Sequence, residues 1–597
     1  SPQRHLIHPH CYPMRLVFDI ETDGLLRGLS VIHCIVARDL DTNKEYRWDN
    51  GDIPAGLKFL GEADELWGHN IVNFDCEAIK ELVPDWTYRG KLFDTLILSR
   101  LFFPDLLDRD FRCKPANMPG NIFGRHSLEA WGHRLGIHKS EFGKSLDGDW
   151  STYTPEMLEY CAQDVLVSVQ VCKMFEPKLE QYKDCIETEH RVALFMAWQE
   201  RMGFSFDVPA AQALESKLRT ELDLISEEMR GTFLFVDGGL FTPKRGNSTR
   251  GYVEGAAMCK LKEFSPTSRD HIAWAFETFR DWEATERTPS GRAKIDDTVL
   301  KEIGTPEALK FSRILELQKH LGQLSDGKNA WLKLERAGRI HHSCVLNTNT
   351  FRQVHLRPNI SQVPSAAEYR CLFGPGEGRV QVGADASSLE LRCLGSYLQP
   401  FDGGKFAKEV VEGDIHTVLS EIYGTSRKAG KGVTYCLIYG GGNTKLGLTA
   451  GASKGKAASK GKEIRNKIMD GLTGFADLTK AIQKRAAATD TLLGLDGRTI
   501  RLQGKHHAAL NYLLQSAGAI ICKSWLIRSY ELLDEAGIDY WPLAFVHDEL
   551  QISVPPNHVE KAEFLITAAI KDVEHQLNFR CALDAEAQHG NNWADCH

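Results

Sequence analysis

Alternating apolar and polar positions divide the first part of the chain into short strands and helices. MRLVFDIE (14–21) and VIHCIVARDL (31–40) are rich in β-branched and apolar residues, which predicts two strands. A third strand in DELWGHN leads into a helix that starts near Asp75. Helical spacing of apolar residues predicts helices in SLEAWGHRL and EMLEYCAQDVLVSVQVCKMF. This alternation predicts an α/β domain over about the first 185 residues.

The pattern changes after about residue 186. Residues ~186–230 and ~306–336 predict long amphipathic helices. The Gly/Pro-rich, basic stretch FVDGGLFTPKRGNSTRG between them predicts a loop or insertion. From about residue 370 a second mixed α/β region is predicted, with a strand RVQVGADAS, Lys-rich helical segments, a helix AALNYLLQSAGAIICKSWLI and a hairpin AFVHDELQISV.

Composition narrows the protein class. The 597 residues are 42% hydrophobic and 25% charged, which excludes disordered, collagen-like and coiled-coil chains. No apolar run is long enough for a membrane span. The 15 cysteines contain no CxxC pair and fit a reducing compartment. Residues 1–13 lack an apolar core and precede Met14, so we treat them as a leader or a cloning scar.

Charge is unevenly distributed along the chain. The net charge of -8 by itself argues against a sequence-independent nucleic-acid binder. Residues 141–190, however, hold 4 Lys/Arg against 11 Asp/Glu, whereas residues 421–470 hold 10 against 3. The mean charge therefore hides a strongly basic segment that could face phosphates.

A first group of acidic residues lies in the N-terminal region. Asp19 and Glu21 alternate on one strand and share a face, where two carboxylates repel unless a cation lies between them. Asp75 follows at a strand-to-helix junction, and Tyr160 and Asp164 are four residues apart on a helix. Taken alone, the Asp-x-Glu pair occurs by chance in most chains of this size, and Asp164 is more typical of a solvated helix face than of a site. Together they supply hard ligands for two Mg²⁺ ions and a hydroxyl that can orient a water molecule.

Asp94, in LFDTLILSRL, is also acidic. Its spacing does not match the group formed by Asp19, Glu21 and Asp75. We predict a capping or structural role for Asp94.

A second group of carboxylates lies in the C-terminal region. Asp385 ends the strand RVQVGA, and Asp548 lies at the turn of a predicted hairpin. Two such residues can converge on one pair of metal ions, as phosphoryl transfer to a primer 3′-OH requires. The alternative is that the His-Asp dipeptide only forms the turn.

The helix between these carboxylates favours the catalytic interpretation. Arg427, Lys431, Tyr435 and Tyr439 recur every four residues in SRKAGKGVTYCLIYGGG and lie on one face. Cations suit a triphosphate, and aromatic rings suit a base or sugar. A solvated face would not need the tyrosines, and a core face would not need the cations.

With these motifs the sequence resembles the family A (polymerase I-like) DNA polymerases, and most closely those of short-tailed bacteriophages. The resemblance runs from Met14 to His597 and includes DTLILSRL, FGRHSLEAWG, HAALNYLLQSAG and NFRCALDAE. It implies a mixed α/β fold with an RNase H-like 3′→5′ exonuclease domain followed by a right-hand polymerase. The implied domains are exonuclease 14–185, thumb 186–340 with a short insertion at about 232–266, palm 341–400, fingers 401–509 and palm 510–597.

The resemblance also implies roles for individual residues. In a proofreading exonuclease of the DEDDy type, the metal ligands would be Asp19, Glu21, Asp75 and Asp164, and the water-orienting residue would be Tyr160. In the polymerase, Asp385 and Asp548 would hold metal, with His547 and Glu549 beside them. The nucleotide contacts would be Glu390 as a gate against a 2′-OH, His416, Arg427, Lys431 and Tyr435. The template and primer contacts would be Arg352, Tyr439 and Gln515.

The implied cofactor is Mg²⁺, two ions per active site, with Mn²⁺ able to substitute. The implied partners are primer-template DNA, dNTPs and a replicative helicase-primase, in the cytoplasm of an infected bacterial host and without a membrane. In the phage relative a thumb insertion recruits thioredoxin. The matching stretch here is about half as long, which argues against thioredoxin dependence and leaves a DNA clamp or another processivity factor.

Two other functions remain open from the sequence. The chain could be a 3′→5′ exonuclease whose C-terminal half binds DNA without synthesis. It could also be a DNA-binding or assembly protein without catalysis. Primer extension with and without dNTPs separates the three.

Overall fold

The computed structural model describes residues 12–137 and 149–597. They form two compact units. Of the described residues, the first unit contains 12–137, 149–204, His342–Ser365 and Pro375–His597, and the second contains Ser205–His341 and Ala366–Gly374. Of the predicted leader (1–13), residues 1–11 lie outside the described residues. The boundaries of exonuclease, thumb, palm and fingers stay predictions.

The N-terminal part of the first unit is built on a five-stranded sheet. Its strands are β1 (Arg15–Thr22), β2 (Ile32–Asp39), β3 (Glu45–Trp48), β4 (Glu65–Gly68) and β5 (Lys91–Asp94). The sheet order is β3-β2-β1-β4-β5, with β1 antiparallel to β2 and parallel to β4. Leu16, Val17, Phe18 and Ile20 of β1 are buried, because this central strand is covered on both faces.

Helices surround this sheet and begin where the sequence supplies caps. Thr154 accepts a hydrogen bond from the amide of Met157 and starts the longest of the helices before residue 180, with Pro in its first turn. Ser127 caps the helix of SLEAWGHRL in the same way, and that helix ends at Gly136, which has a φ of +68°. The helices are α1 (Ile53–Gly61), α2 (Asp75–Leu82), α3 (Thr95–Phe102), α4 (Leu106–Cys113), α5 (Leu128–Leu135), α6 (Pro155–Phe175) and α7 (Lys183–Met202).

The second unit is mainly helical. Its core is formed around Phe233, Phe264, Phe276 and Phe311. Its elements, beginning at the boundary with the first unit, are β6 (Phe204–Phe206), α8 (Val208–Thr232), β7 (Phe235–Phe241), β8 (Met258–Glu263), α9 (Arg269–Phe279), α10 (Asp297–Ile303), α11 (Pro306–Leu321), α12 (Trp331–Leu334), β9 (Arg339–Ile340), α13 (Ala367–Arg370) and β12 (Phe373–Gly374). Strands β7 and β8 form a hairpin, and β6 lies between β12 and β9.

The C-terminal part of the first unit contains a four-stranded antiparallel sheet. Its strands are β13 (Val380–Ala386), β16 (Trp541–Val546), β17 (Glu549–Val554) and β18 (Ala585–Gly590), in the order β16-β17-β13-β18. The same part of the unit contains two small hairpins, β10 (Ser343–Leu346) with β11 (Gln353–Leu356) and β14 (Thr491–Leu493) with β15 (Thr499–Arg501).

Nine helices accompany these strands. The helix of AALNYLLQSAG spans 27 residues and is buried over most of its circumference, as expected of an apolar helix inside a domain. The helices are α14 (Leu389–Asp402), α15 (Lys405–Glu412), α16 (Ile415–Tyr423), α17 (Arg427–Ile438), α18 (Asn443–Thr449), α19 (Ala457–Gly471), α20 (Phe475–Thr489), α21 (Ala509–Glu535) and α22 (Val559–Gln576).

The mixed α/β prediction is confirmed, and three local predictions are wrong. The helix predicted over ~306–336 ends at Leu321, and after a π-turn at Gly322–Asp326 only Trp331–Leu334 are helical again. The helix predicted over ~186–230 is two helices, because the chain forms the short strand β6 between Gly203 and Asp207. The stretch predicted as a loop at FVDGGLF is strand β7, because pairing with β8 satisfies its backbone in spite of its glycines. In the part of the chain that the structure describes, no helix combines the length and apolarity needed to cross a membrane.

Candidate functional site

The N-terminal acidic cluster is assembled by β1, α2 and α6. Asp19 and Glu21 project from the same side of β1, against which α6 packs. Asp75 is the first residue of α2 and is buried. Its Oδ1 accepts a hydrogen bond from the backbone amide of Ile20, at 3.2 Å, which joins the start of α2 to β1 between the two acidic residues.

The electrostatics of this cluster are those of crowded carboxylates. Burial raises the pKa of Asp75 to about 7, and the charge of Asp94 adds to the rise. Hydrogen bonds from the Ile20 amide and with the Asp19 side chain oppose it. A carboxylate that retains a proton near neutrality beside a second carboxylate is a group that a divalent cation would ionise. The oxygen donors therefore fit a hard metal ion.

Cys161 is a member of this cluster that the sequence prediction missed. One ligand atom each from Asp19, Glu21 and Cys161 lies within 4.8 Å of the others. The Sγ atom lies 3.4 Å from the Asp19 carbonyl oxygen, and burial raises the pKa of the thiol well above its ordinary value. The thiol is therefore protonated and acts as a weak donor. Its position directly after Tyr160 was the available signal.

The other predicted members lie on α6 or beside it. Asp164 is buried and Tyr160 half-buried, one helical turn apart. The Tyr160 ring meets the ring of Trp150 edge to face, with centroids 6.0 Å apart. The structural role predicted for Asp94 is confirmed, since its carboxylate accepts hydrogen bonds from the amides of Asn70, Val72 and Leu96.

The C-terminal acidic cluster is assembled by the four-stranded sheet. Asp385 of β13 lies opposite Glu549 of β17 in the antiparallel register. The turn between β16 and β17 contains His547, with a φ of +54°, and Asp548. The amide of Ala386 donates to the Asp548 carbonyl oxygen at 3.0 Å, which joins the end of β13 to this turn. The two predicted metal-holding residues are therefore neighbours in space.

A cavity of about 340 Å³ opens beside Asp548. Burial raises the pKa of Asp548 to about 6; the negative charge of Glu390 adds to the rise and the positive charge of Arg352 opposes it. Apolar side chains of α14 and α21 also line the cavity, among them Leu389 and Leu514. Of the predicted site residues, the cavity brings together Arg352, Glu390, Tyr439, His547 and Asp548.

Glu549 is the most firmly held carboxylate of this cluster. It is buried, and its Oε1 accepts hydrogen bonds from the side-chain amide of Gln551 and from the indole N–H of Trp593. The ring of His597 lies 3.5 Å from Asp385 and 3.6 Å from Glu549, so the three residues form a second group of possible metal ligands. The sequence prediction missed Trp593 and His597, because their only signal was the motif NWADCH.

Glu390, at the cavity, is contacted by both Tyr439 and Arg352. The Tyr439 hydroxyl donates to Glu390 Oε1 at 2.9 Å, and Arg352 Nη2 lies 3.8 Å from the same oxygen. Burial and the charge of Glu390 raise the pKa of Tyr439 to about 12, so it is a proton donor throughout the neutral range. Tyr435 stacks on Tyr439 with centroids 6.4 Å apart and planes inclined by 23°.

The predicted triphosphate contacts lie on α16 and α17. The exposed guanidinium of Arg427 makes a two-point ion pair with Asp414, at 2.8 and 3.1 Å. The ring of His416 lies 6.1 Å from that of Tyr435; burial lowers its pKa, and the charges of Lys431 and Arg427 add to this effect. Lys431 is exposed. None of these residues lines the cavity itself, and neither does Gln515, which is partly buried on α21.

Known proteins resemble this chain in sequence and in fold. The sequence model of DNA polymerase family A matches residues 249–595. The DNA-directed DNA polymerase of Enterobacteria phage T3 is 31% identical and that of Escherichia phage T7 is 32% identical, each over 98% of this chain and 100% of the relative. These alignments span 714 and 716 positions, more than the 597 residues of this chain, so the relatives carry segments that it lacks.

The fold of this chain matches that of a solved structure over almost the whole length of both chains. That structure is the POL domain of Pol1 from M. smegmatis, determined in complex with DNA primer-template and dNTP. The TM-score is 0.73 at 18% sequence identity, and the match covers 97% of this chain and 96% of that chain.

Proposed function

The chain belongs to DNA polymerase family A, and from this premise we propose which residues carry its reaction. The protein is a template-directed DNA polymerase of the phage replicative type. We assign metal binding during synthesis to Asp385 and Asp548. The observation that carries the assignment is the hydrogen bond from the Ala386 amide to the Asp548 carbonyl oxygen, which holds the end of the Asp385 strand against the turn that contains Asp548, where Asp548 lines the cavity.

The substrates in this proposal are primer-template DNA and dNTPs, the molecules bound in the related solved structure. Arg427, Lys431 and His416 bind the triphosphate, and Tyr435 stacks on the incoming nucleotide. Glu390 occupies the space of a 2′-OH, and Tyr439 contacts the template base. Arg352, His547 and Gln515 contact the primer-template near the primer terminus.

Family A polymerases use divalent metal ions, and we propose two Mg²⁺ ions per active site, with Mn²⁺ able to substitute. When bound, the metal would lower the pKa of the attacking hydroxyl or water and would neutralise negative charge on the phosphate. Residues of the chain orient the groups around the metal site. Tyr439 keeps Glu390 oriented, and the positive charges of α17 draw the triphosphate towards Asp548.

The proposed reaction is in-line attack of the primer 3′-oxygen on the α-phosphorus of a dNTP. A bond between the 3′-oxygen and the α-phosphorus forms as the 3′-hydroxyl gives its proton to water. The α-phosphorus–oxygen bond to the β-phosphate breaks, and pyrophosphate leaves with that electron pair. The apolar lining around Leu389 and Leu514 limits water near the reacting atoms.

Primer extension with all four dNTPs tests this assignment. Asp385→Ala should abolish extension while single-strand degradation persists. The matched control is Asp572→Asn, which removes an exposed carboxylate paired with Arg528. Normal synthesis by the Asp385 variant would refute the assignment, and absence of synthesis by the unaltered protein would favour a C-terminal half that only binds DNA.

We further propose that the N-terminal cluster is a 3′→5′ proofreading exonuclease. The hydrogen-bonded contact between Asp19 and the buried Asp75 supports it, because two adjacent carboxylates repel each other when both are ionised and a bound cation removes that repulsion. Asp164 completes the ligands, and Tyr160 orients the attacking water. The double variant Asp19→Ala, Glu21→Ala should lose degradation of single-stranded DNA and retain extension; degradation at the normal rate would contradict the proposal.

We also propose a processivity factor at the β7–β8 hairpin. The hairpin exposes 77% of Leu240 and 65% of Leu261, beside the basic residues Lys244 and Arg245. Thioredoxin is not the expected factor, because the segment is short. The phage relatives support the proposal that the protein works inside an infected bacterium. A helicase-primase partner stays a prediction from the sequence. Product length on a primed circle, with and without each candidate factor, tests this; no gain from any factor of the host or phage would contradict it.

A further inference from the structure

Four charged side chains are buried together beneath the polymerase cavity. Lys523 of α21 donates to both carboxylate oxygens of Glu189, on α7, at 2.7 and 3.0 Å. Arg498 donates to the same Glu189 at 2.7 Å and is held by Asp496 through several hydrogen bonds. Their side chains are at most 6% exposed. Two cations and two anions balance, so no net charge is buried.

Such a network is a weak source of stability. Removing charges from water costs free energy that ion pairing only partly returns, and apolar replacements of a complete pair are often neutral. Although burial alone would raise the pKa of Glu189, the charges of Lys523 and Arg498 hold it below its ordinary value. The carboxylate is therefore ionised and able to orient the Lys523 ammonium.

The third hydrogen bond of Lys523 leads towards the cavity. Its Nζ donates to the backbone carbonyl oxygen of Phe351 at 2.6 Å. Phe351 is fully buried and has a φ of +63°, a conformation that a bulky residue keeps only when its surroundings impose it. The Arg498 guanidinium lies 4.8 Å from the centre of the Phe351 ring. Both cations of the network thus hold this one residue.

Phe351 immediately precedes Arg352. The peptide group that joins them is fixed by Lys523, and the Thr348 hydroxyl donates to the carbonyl oxygen of Arg352 at 2.8 Å. Both peptide groups of Arg352 are therefore held, which sets the direction in which its side chain leaves the backbone. That side chain points towards Glu390 in the cavity.

We propose that Lys523, oriented by Glu189, is a positioning residue for synthesis: through the Phe351 carbonyl it aims Arg352 at the primer terminus. This inference rests on the proposed role of Arg352. Lys523 also lines the cavity, but its ammonium is bonded to Glu189 and to the Phe351 carbonyl oxygen and its side chain is 1% exposed, so we assign it no direct contact with the reacting atoms. Loss of its ammonium lets the Phe351–Arg352 peptide rotate, so that Phe351 can leave its positive φ, and this moves the Arg352 guanidinium away from the primer terminus.

The test uses paired substitutions in the full-length protein. Lys523→Met leaves Glu189 buried with Arg498 alone, so that one negative charge is no longer balanced, and it risks misfolding. The informative variant is therefore the double substitution Glu189→Met, Lys523→Met, which removes one charge of each sign and leaves the Arg498–Asp496 pair intact. Arg528→Met, on the same helix, removes an exposed ion pair with Asp572 and serves as the matched control. Lys523→Arg tests rescue by a retained cation.

The measurements are the affinity for a matched primer-template, the rate of extension at saturating DNA, and the melting temperature. The double variant should bind primer-template about tenfold more weakly, with a much smaller change in the extension rate at saturation. Lys523→Arg should recover part of the affinity, and Arg528→Met should bind normally.

A thermodynamic cycle with Arg352→Ala separates the possible failures. If Lys523 acts through Arg352, adding Arg352→Ala to the double variant should weaken binding no further than Arg352→Ala alone. Fully additive losses, or normal affinity of the folded double variant while Arg352→Ala is defective, would overturn the inference and leave the proposed function intact. Normal affinity of Arg352→Ala would overturn the role of Arg352 itself, and the inference with it.

Discussion

The two acidic clusters differ in what surrounds their carboxylates. In the N-terminal cluster, Asp75 contacts Asp19, and a protonated thiol lies beside Asp19 and Glu21. In the C-terminal cluster, Glu549 accepts hydrogen bonds from an indole and an amide, and Arg352 partly offsets the negative charge at Asp548. We therefore expect the first cluster to depend more strongly on a bound cation than the second, whose carboxylates are held by donors of the protein.

This difference has a physical origin in the two sheets. Asp75 is joined to β1 by a backbone amide, and burial without a facing cation raises its pKa to about 7. Asp548 sits at a turn that opens into the cavity, where burial raises its pKa to about 6 and the charge of Arg352 opposes the rise. The experiments below test the contrast, in order of decreasing expected effect.

The largest effect is expected from Asp548→Asn. This change keeps the size of the side chain but removes its charge, and we expect extension to fall by about a thousandfold or more. Degradation of single-stranded DNA should stay within about twofold of normal, because the N-terminal cluster shares no residue with the cavity. Single-turnover extension measures the first quantity. An equal loss of both activities would show that the clusters are not independent.

Trp593→Phe should have an intermediate effect, confined to synthesis. The change removes the indole N–H that donates to Glu549 and leaves a buried carboxylate oxygen with fewer donors. We expect extension to slow about tenfold, in line with a lost hydrogen bond to a charged group. Phe579→Leu, a conservative change of a buried ring in the same unit, is the control for altered packing. An unchanged rate would mean that Glu549 does not need this donor.

Asp75→Asn should change stability, and the change should depend on pH and metal. Without metal, the pKa of Asp75 is near 7 in the folded protein against about 4 when unfolded, so the folded state binds its proton more tightly. Stability from this group is then present at low pH and is lost as the pH rises from about 4 through about 7. At pH 8 in EDTA the variant should melt about 2 °C or more above the unaltered protein.

Added Mg²⁺ should reverse that order. A cation that binds the ionised carboxylates stabilises the unaltered protein more than the variant. Calorimetry at pH 5 and pH 8, with and without Mg²⁺, gives the four values needed. A melting temperature of the variant that lies below that of the unaltered protein at pH 8 in EDTA would refute the assignment of a raised pKa to Asp75.

Cys161→Ala should have the smallest effect. The thiol is a weak donor to Asp19, so its loss should slow single-strand degradation by about twofold and leave extension unchanged. Cys172→Ala, a buried thiol further along α6, controls for the loss of packing. A loss of tenfold or more with Cys161→Ala alone would indicate that the thiol contributes directly to metal binding.

Local sequence patterns were sufficient for most of the helices and strands near the sites. The periodicity of RVQVGADAS predicted β13, and the alternation around Asp548 predicted the β16–β17 hairpin. The patterns failed where long-range pairing overrode local preference, as in β7, where β8 supplies the partner that the glycines do not suggest.

The sequence by itself determined which acidic residues occur in which order, and it thereby indicated two metal-dependent centres and a polymerase of family A. Tertiary structure alone decided what lies beside each of them. Cys161 meets Asp19 across 142 residues of chain, and Lys523 meets Glu189 across 334. Periodicity acts over a few residues, whereas pKa values and the orientation of Arg352 depend on neighbours in space, and these exist only once the chain has folded.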